Sequence, residues 1–120
     1  MDQLKPVVTT DTLLSAQQTA RQVTFDDTLV DYLLNIIEAT RLHEGFQVGV
    51  STRGASSFYR GCQARAITEG RDYVTPDDVK LLSIPCLAHR VLPRGIFQGA
   101  NRSEVESELS DVIQQIPVPI

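Results

Sequence analysis

The sequence predicts an all-α fold, a bundle of five or six helices in one domain. Three observations carry that prediction. Apolar residues recur at helical spacing in Val30, Leu33, Leu34 and Ile37, and again in Ala55, Phe58, Tyr59, Cys62 and Ala66. Helix starts are spelled out at Thr75-Pro76-Asp77-Asp78 and at Ser103-x-x-Glu106. The 120 residues hold no internal repeat, heptad series or low-complexity tract, and that length suits one domain with a shared core.

The first helix is predicted from about Thr9 to Arg21, with Thr9 or Thr10 as N-cap and Leu13, Leu14, Gln17 and Ala20 as a weak apolar face. A short β-prone stretch, Gln22 to Phe25, leads into Asp26 and Asp27, whose carboxylates suit the positive end of a helix dipole. The second helix then runs to about Arg41, with His43 and Gly45 beyond it. Phe46 to Val50 is too short for a helix and reads as an extended linker whose apolar residues dock on the core.

Ser51 is the expected N-cap of a third helix that ends near Glu69, with Gly70 at the C′ position. Its apolar face is the one named above; Arg53, Ser57, Arg60 and Ala64 fall on the opposite side, so Arg53 and Arg60 point the same way. Gly61, in mid-helix, costs on the order of 1 kcal/mol relative to alanine and implies either close packing or local adjustment. In the next element Thr75 is the N-cap and Pro76 the first helical residue; Pro85 is expected to split it into a helix to about Leu82 and a short one from Pro85 to Arg90. Residues 92–101 carry Pro93, Gly95 and Gly99 and are expected to form a mobile loop. A last helix, opened by the Ser103 capping box, reaches about Gln115 with Val105, Leu109, Val112 and Ile113 buried, and residues 116–120 leave it as a tail.

Composition narrows the function. A net charge of -4 argues against bulk attraction to nucleic acid or anionic membrane, and a small helical DNA-binding domain lacks its basic recognition helix. No apolar run approaches the roughly 20 residues of a bilayer span, and no secretory pattern opens the chain, so a cytoplasmic protein is expected. Cys62 and Cys86 are too far apart for a C-x-x-C motif and read as buried free thiols. Asp72, Asp77 and Asp78 resemble an acidic cluster, but Asp77 and Asp78 are accounted for by the helix start, and no metal site is expected. His89 has no nucleophile with a local motif beside it and is expected to hydrogen-bond between helices. Arg71, after Gly70, is expected to cap the last carbonyls of the third helix.

Arg53 stands apart. An arginine in the first turn opposes the helix dipole unless it projects away or meets an anion there, which makes it a candidate phosphate sensor. Yet no G-x-x-x-x-G-K-[ST] phosphate loop occurs in the chain.

Read together, Ala39-Thr40-Arg41, Gly49-Val50-Ser51-Thr52-Arg53, Gln63-Ala64-Arg65-Ala66, Glu69 to Val79 and Leu87-Ala88-His89-Arg90 resemble the C-terminal lid domain of MoxR-family AAA+ ATPases. Leu4 to Val8 resemble the segment joining the ATPase core to the lid, and Pro117-Val118-Pro119 the lid's end. Thr52 and Gly54 replace the proline and alanine that usually flank the arginine in that family. The resemblance implies an all-α bundle of the AAA+ lid type and puts Arg53 at the family's sensor-2 position, reaching the γ-phosphate of ATP. Arg60 is a secondary candidate for phosphate contact, with an ion pair or solvation as its ordinary role. ATP and Mg²⁺ would belong to a core outside this chain. The implied partners are that core, neighbouring subunits of a hexamer and proteins with a von Willebrand A domain. Lacking the phosphate loop, the chain alone is expected not to hydrolyse ATP. The alternative is a free-standing helical module that binds a protein through its Arg53 and Arg60 face.

Overall fold

A computed structural model describes residues 3–94 and 102–119 of the chain. Five α-helices form a bundle: α1 Thr10–Arg21, α2 Asp27–Leu42, α3 Thr52–Thr68, α4 Pro76–Leu87 and α5 Arg102–Gln114. Between them lie two short strands, β1 Phe46–Val48 and β2 Leu92–Pro93, and a 3-10 turn, Ala88–Arg90, that extends α4. The core gathers Tyr32, Leu33, Ile36 and Ile37 of α2, Phe58, Cys62 and Ala66 of α3, Val79 and Leu87 of α4, and Leu109, Val112 and Ile113 of α5. The stripes of α3 and α5 are those the periodicity marks out; that of α2 is rotated, with Tyr32 and Ile36 buried beside Leu33 and Ile37 while Leu34 is 49% exposed and Val30 half-buried.

Local capping explains where the helices begin. Thr9, Asp26, Ser51 and Thr75 each accept a bond from a backbone N–H of the first turn. Gly70, with φ at 75°, supplies the left-handed residue that stops α3. α1 is the outlier, with no buried residue and with Leu13 and Leu14 each 51% exposed. Gln63 of α3, itself 2% exposed, ties down the link after it: its Nε2 donates to the Val23 carbonyl at 3.0 Å and the Arg21 carbonyl at 3.4 Å. Thr24 and Tyr73 form a parallel bridge, so the connection from α1 to α2 pairs with the connection from α3 to α4.

Four expectations need correction. Pro85 does not split α4, because Pro85 and Leu81 lie on the exposed face, where water can serve the Leu81 carbonyl that proline leaves without a donor. The helix tightens only after Leu87. α5 begins at Arg102, one residue before Ser103, and Glu106 accepts from Arg102 Nε at 2.7 Å instead of closing a Ser103 capping box. β1 and β2 pair antiparallel, Phe46 opposite Pro93 and Val48 opposite Leu92, so the linker is a strand and the expected loop opens as one. The rest of that loop, residues 95–101, lies outside the described residues.

The fourth correction concerns which part of Arg71 caps α3, the backbone and not the guanidinium. Its Nη1 and Nη2 donate to Asp78 Oδ2 and Oδ1 at 2.8 and 2.7 Å, and Nη1 also reaches the Tyr73 carbonyl at 2.8 Å. Its side chain holds the start of α4, where the buried Asp78 carboxylate is the stronger acceptor, while its backbone N–H caps α3 by donating to the Ala66 carbonyl at 2.9 Å. Asp78 also accepts the Thr75 N–H at 2.8 Å, completing a capping box. Burial works against ionisation of Asp78, but the Arg71 and Thr75 hydrogen bonds and the nearby guanidinium outweigh it and hold the carboxyl below its ordinary value.

A second polar cluster fixes the approach to α3. Thr40, 0% exposed near the end of α2, donates through Oγ1 to the Ile37 carbonyl at 2.6 Å and accepts the Val50 N–H at 3.0 Å. Arg41 Nε donates to the Val50 carbonyl at 2.8 Å. Both backbone groups of Val50 are thus held by adjacent residues of α2. Gly49 makes the approach possible: a Cβ there would stand 2.6 Å from the Arg41 Cα and backbone N, which cannot give way. At the far edge His43 Nδ1 accepts the Gly45 N–H at 3.0 Å while Nε2 lies 3.3 Å from Glu108 Oε1, joining the end of α2 to α5.

Thr40→Val keeps the shape but leaves the buried Val50 N–H without an acceptor. It should cost about 2 kcal/mol in chemical denaturation, and a loss no larger than that of an exposed substitution would refute the clamp. Asp78 sets an acid limb: its folded pKa is lowered, so its stabilisation is present above the ordinary value of 3.8 and is lost as pH falls through the folded value. Asp78→Asn should lower the denaturation midpoint at neutral pH and flatten the decline below about pH 4; an unchanged acid limb would count against the pair.

Candidate functional site

The site is the first turn of α3 and the residues that hold it. Ser51 caps the helix by accepting the Gly54 N–H at 3.1 Å. Thr52 is the first helical residue and Arg53 the second, so the cap fixes the Arg53 backbone while the side chain points outward. Arg53 is exposed and makes no hydrogen bond or ion pair among the described residues. A cation at the positive end of a helix dipole is unfavourable alone, and an arriving anion would relieve that penalty.

Gly54 is buried beneath this turn. A Cβ on it would lie 2.7 Å from Val50 Cγ1 and 3.0 Å from Arg90 Cδ. The helix gives up propensity there in exchange for a close crossing: the 3-10 turn after α4 lays the Arg90 stem across the start of α3. Arg90 Nε donates to the Cys86 carbonyl at 3.1 Å, which fixes the guanidinium to the end of α4. Gly61 marks a second close approach of α3 and α4, with Cys86 Sγ 3.2 Å from the position its Cβ would take.

Arg60, Ser57 and Ala64 share the exposed face with Arg53, as the periodicity indicates. Arg60 has partners, however: Nη1 donates to Gln63 Oε1 at 2.9 Å, and the guanidinium carbon lies 5.6 Å from the Tyr59 ring centre. It thereby steadies the amide that holds the end of α1. Tyr59 in turn stacks on Phe25, ring centres 4.4 Å apart. His89 lies exposed in the 3-10 turn and makes no hydrogen bond among the described residues, so the expected bond between helices is absent. An unbroken α4 turns residue 89 outward. Cys62 and Cys86 are free thiols, the first buried and the second half-buried, and burial pushes the Cys62 thiol well up, away from reactivity.

Gln63 and Arg90 are what reasoning from sequence missed here. Gln63 carried one signal, a polar residue set between Cys62 and Ala66 on an apolar face. Arg90 carried none of its own, because its role depends on a glycine 36 positions earlier in the chain.

With this geometry in hand, three comparisons place the chain. Residues 38–115 match the family model of the AAA lid domain. The protein YeaC of Bacillus subtilis is 31% identical over 122 residues, covering 100% of this chain and 37% of its own length. The chaperone MoxR1 of Mycobacterium tuberculosis is 28% identical over 128 residues, covering 98% of this chain and 33% of its own length. The chain thus spans about a third of the length of these two relatives. A crystal structure from Cytophaga hutchinsonii, of a protein proposed to be an ATPase, superposes with a TM-score of 0.85 over 98% of this chain and 38% of that one at 22% identity, which establishes the shared fold. The matched segment contains the Thr40 and Val50 clamp, the Arg53 turn and the Arg71 and Asp78 pair, and the chain belongs to the AAA lid domain family as the lid of a MoxR-like AAA+ ATPase.

Proposed function

We propose that this lid closes over ATP bound to an AAA+ core and that Arg53 contacts the γ-phosphate. The observation that carries the reading is the exposed Arg53, without a partner among the described residues and held on a capped first turn. Phosphoryl transfer gains mainly from positioned positive charge, and a guanidinium supplies a planar fork of donors at any physiological pH. When the γ-phosphate leaves, that contact is lost and the lid is free to move, which couples hydrolysis to a change of shape. Mg²⁺ and the triphosphate are held by the core; this chain offers the closing surface.

The setting we propose is a chaperone-like ATPase, working in the cytoplasm as a hexamer alongside proteins with a von Willebrand A domain. A second reading, a helical binding module with no nucleotide role, draws on the half-exposed Leu13 and Leu14 of α1.

In the ATPase that carries this lid, Arg53→Ala should lower turnover by about a hundredfold while leaving much of the nucleotide affinity. Arg53→Lys should restore little, because an ammonium lacks the fork. Unchanged turnover in both variants would remove Arg53 from the chemistry and favour the binding module. The purified 120-residue chain should show no steady turnover with Mg-ATP; activity that persists through repurification would contradict the proposed division of labour.

A further inference from the structure

Three arginines converge on the five residues Val50 to Gly54. Arg41 bonds the Val50 carbonyl through Nε at 2.8 Å. Arg90 is tied through Nε to the Cys86 carbonyl at 3.1 Å, its stem laid against Gly54. Arg53 projects from the turn between them. None of the three has a carboxylate partner among the described residues. Arg65, Arg71 and Arg102 have one, at 2.9, 2.7 and 2.7 Å, and Arg21, at the end of α1, has none among the described residues. Arg60 and Arg94 also lack a carboxylate but spend their terminal nitrogens on Gln63 and on the Phe46 carbonyl.

We propose that Arg41, Arg53 and Arg90 form one anion site around the start of α3 and that its ligand is the triphosphate of a nucleotide. The proposal deepens the reading of Arg53 and rests on it. The tethers are the physical point. A guanidinium fixed through Nε keeps both terminal nitrogens free, and its side chain has already lost the rotamer freedom that binding would otherwise remove. Positive charges gathered without a counter-ion repel one another, and a polyanion reverses that repulsion. Gly54 then has a second use, since a Cβ there would push on the Arg90 stem.

The test titrates inorganic tripolyphosphate into the 120-residue chain at low ionic strength, followed by calorimetry and by amide shifts of the α3 first turn. Arg41→Met, Arg53→Met and Arg90→Met keep the aliphatic stems and remove the charge; Arg21→Met changes net charge equally at a distant site. Each of the first three should weaken binding by about tenfold, as expected for loss of one charge-assisted contact, while Arg21→Met shifts it less than about twofold. Absence of saturable binding to the unsubstituted chain would overturn the site. So would equal losses in all four variants, which would mean attraction to net charge alone. Loss confined to Arg53→Met would overturn the three-arginine site and leave the reading of Arg53 intact. Loss in Arg41→Met and Arg90→Met with none in Arg53→Met would overturn both.

Discussion

The hold that α2 keeps on Val50 is the constraint on which the rest of the lid depends. A chain leaving a helix, running extended for a few residues and entering another helix has many ways to do so, and most would aim α3 elsewhere. Here Thr40 takes the Val50 N–H, Arg41 takes its carbonyl, and the missing side chain of Gly49 lets the two backbones touch. Thr40 is fully buried, so water cannot replace its bond, and the free energy at stake is that of an unsatisfied buried donor and not of a surface contact. Once Val50 is fixed, Ser51 has one place from which to cap α3, and the direction of Arg53 follows.

The first turn of α3 also answers to α4. Gly54 trades helix propensity for a crossing with Arg90 that any larger residue would push apart. At the opposite end of the helix pair, Arg71 and Asp78 tie the loop after α3 to the start of α4. The two helices are therefore joined at one end by the Arg71 and Asp78 pair, at the other by the Arg90 stem packed on Gly54, and between them by the close approach at Gly61. Packed cores deform little, so α3 and α4 behave as one body.

How much of this was legible follows from the range of the interactions. The starts of α2, α3 and α4 could be read from sequence because each is written by a side chain two or three residues from its partner: Asp26 to Thr28, Ser51 to Gly54, Thr75 to Asp78. The core stripes of α3 and α5 were legible because burial repeats with the helix, whereas α2 carries apolar residues on more than one face and its buried side was misread by one step at Leu34. What escaped lies farther apart. Gln63 binds carbonyls 40 and 42 residues away, and Arg94 one 50 residues away; neither leaves a local trace. Pro85 was misread for the opposite reason: its local signal is strong, but its exposure on the outer face of α4 removes most of the cost. At the site, Arg53 was visible as a helix-start arginine within a familiar string, whereas the crossing of Arg90 over Gly54 was not.

The same distinction bears on how a signal at Arg53 would travel. Arg53 has no bond of its own to the body of the lid among the described residues, yet the turn that carries it is held by the Ser51 cap, by α2 through Val50 and by the Arg90 stem packed on Gly54. A pull on the guanidinium therefore cannot be absorbed by local bending of the first turn. It must either break a buried contact, at a cost set by the Val50 N–H and the packing at Gly54, or move α2, α3 and α4 together. The second course costs less when α5 moves with them, because it leaves intact both those buried contacts and the core that these helices share with Leu109, Val112 and Ile113. Under the proposed contact, rigid attachment of an exposed arginine would let one phosphate be felt as displacement of a whole domain.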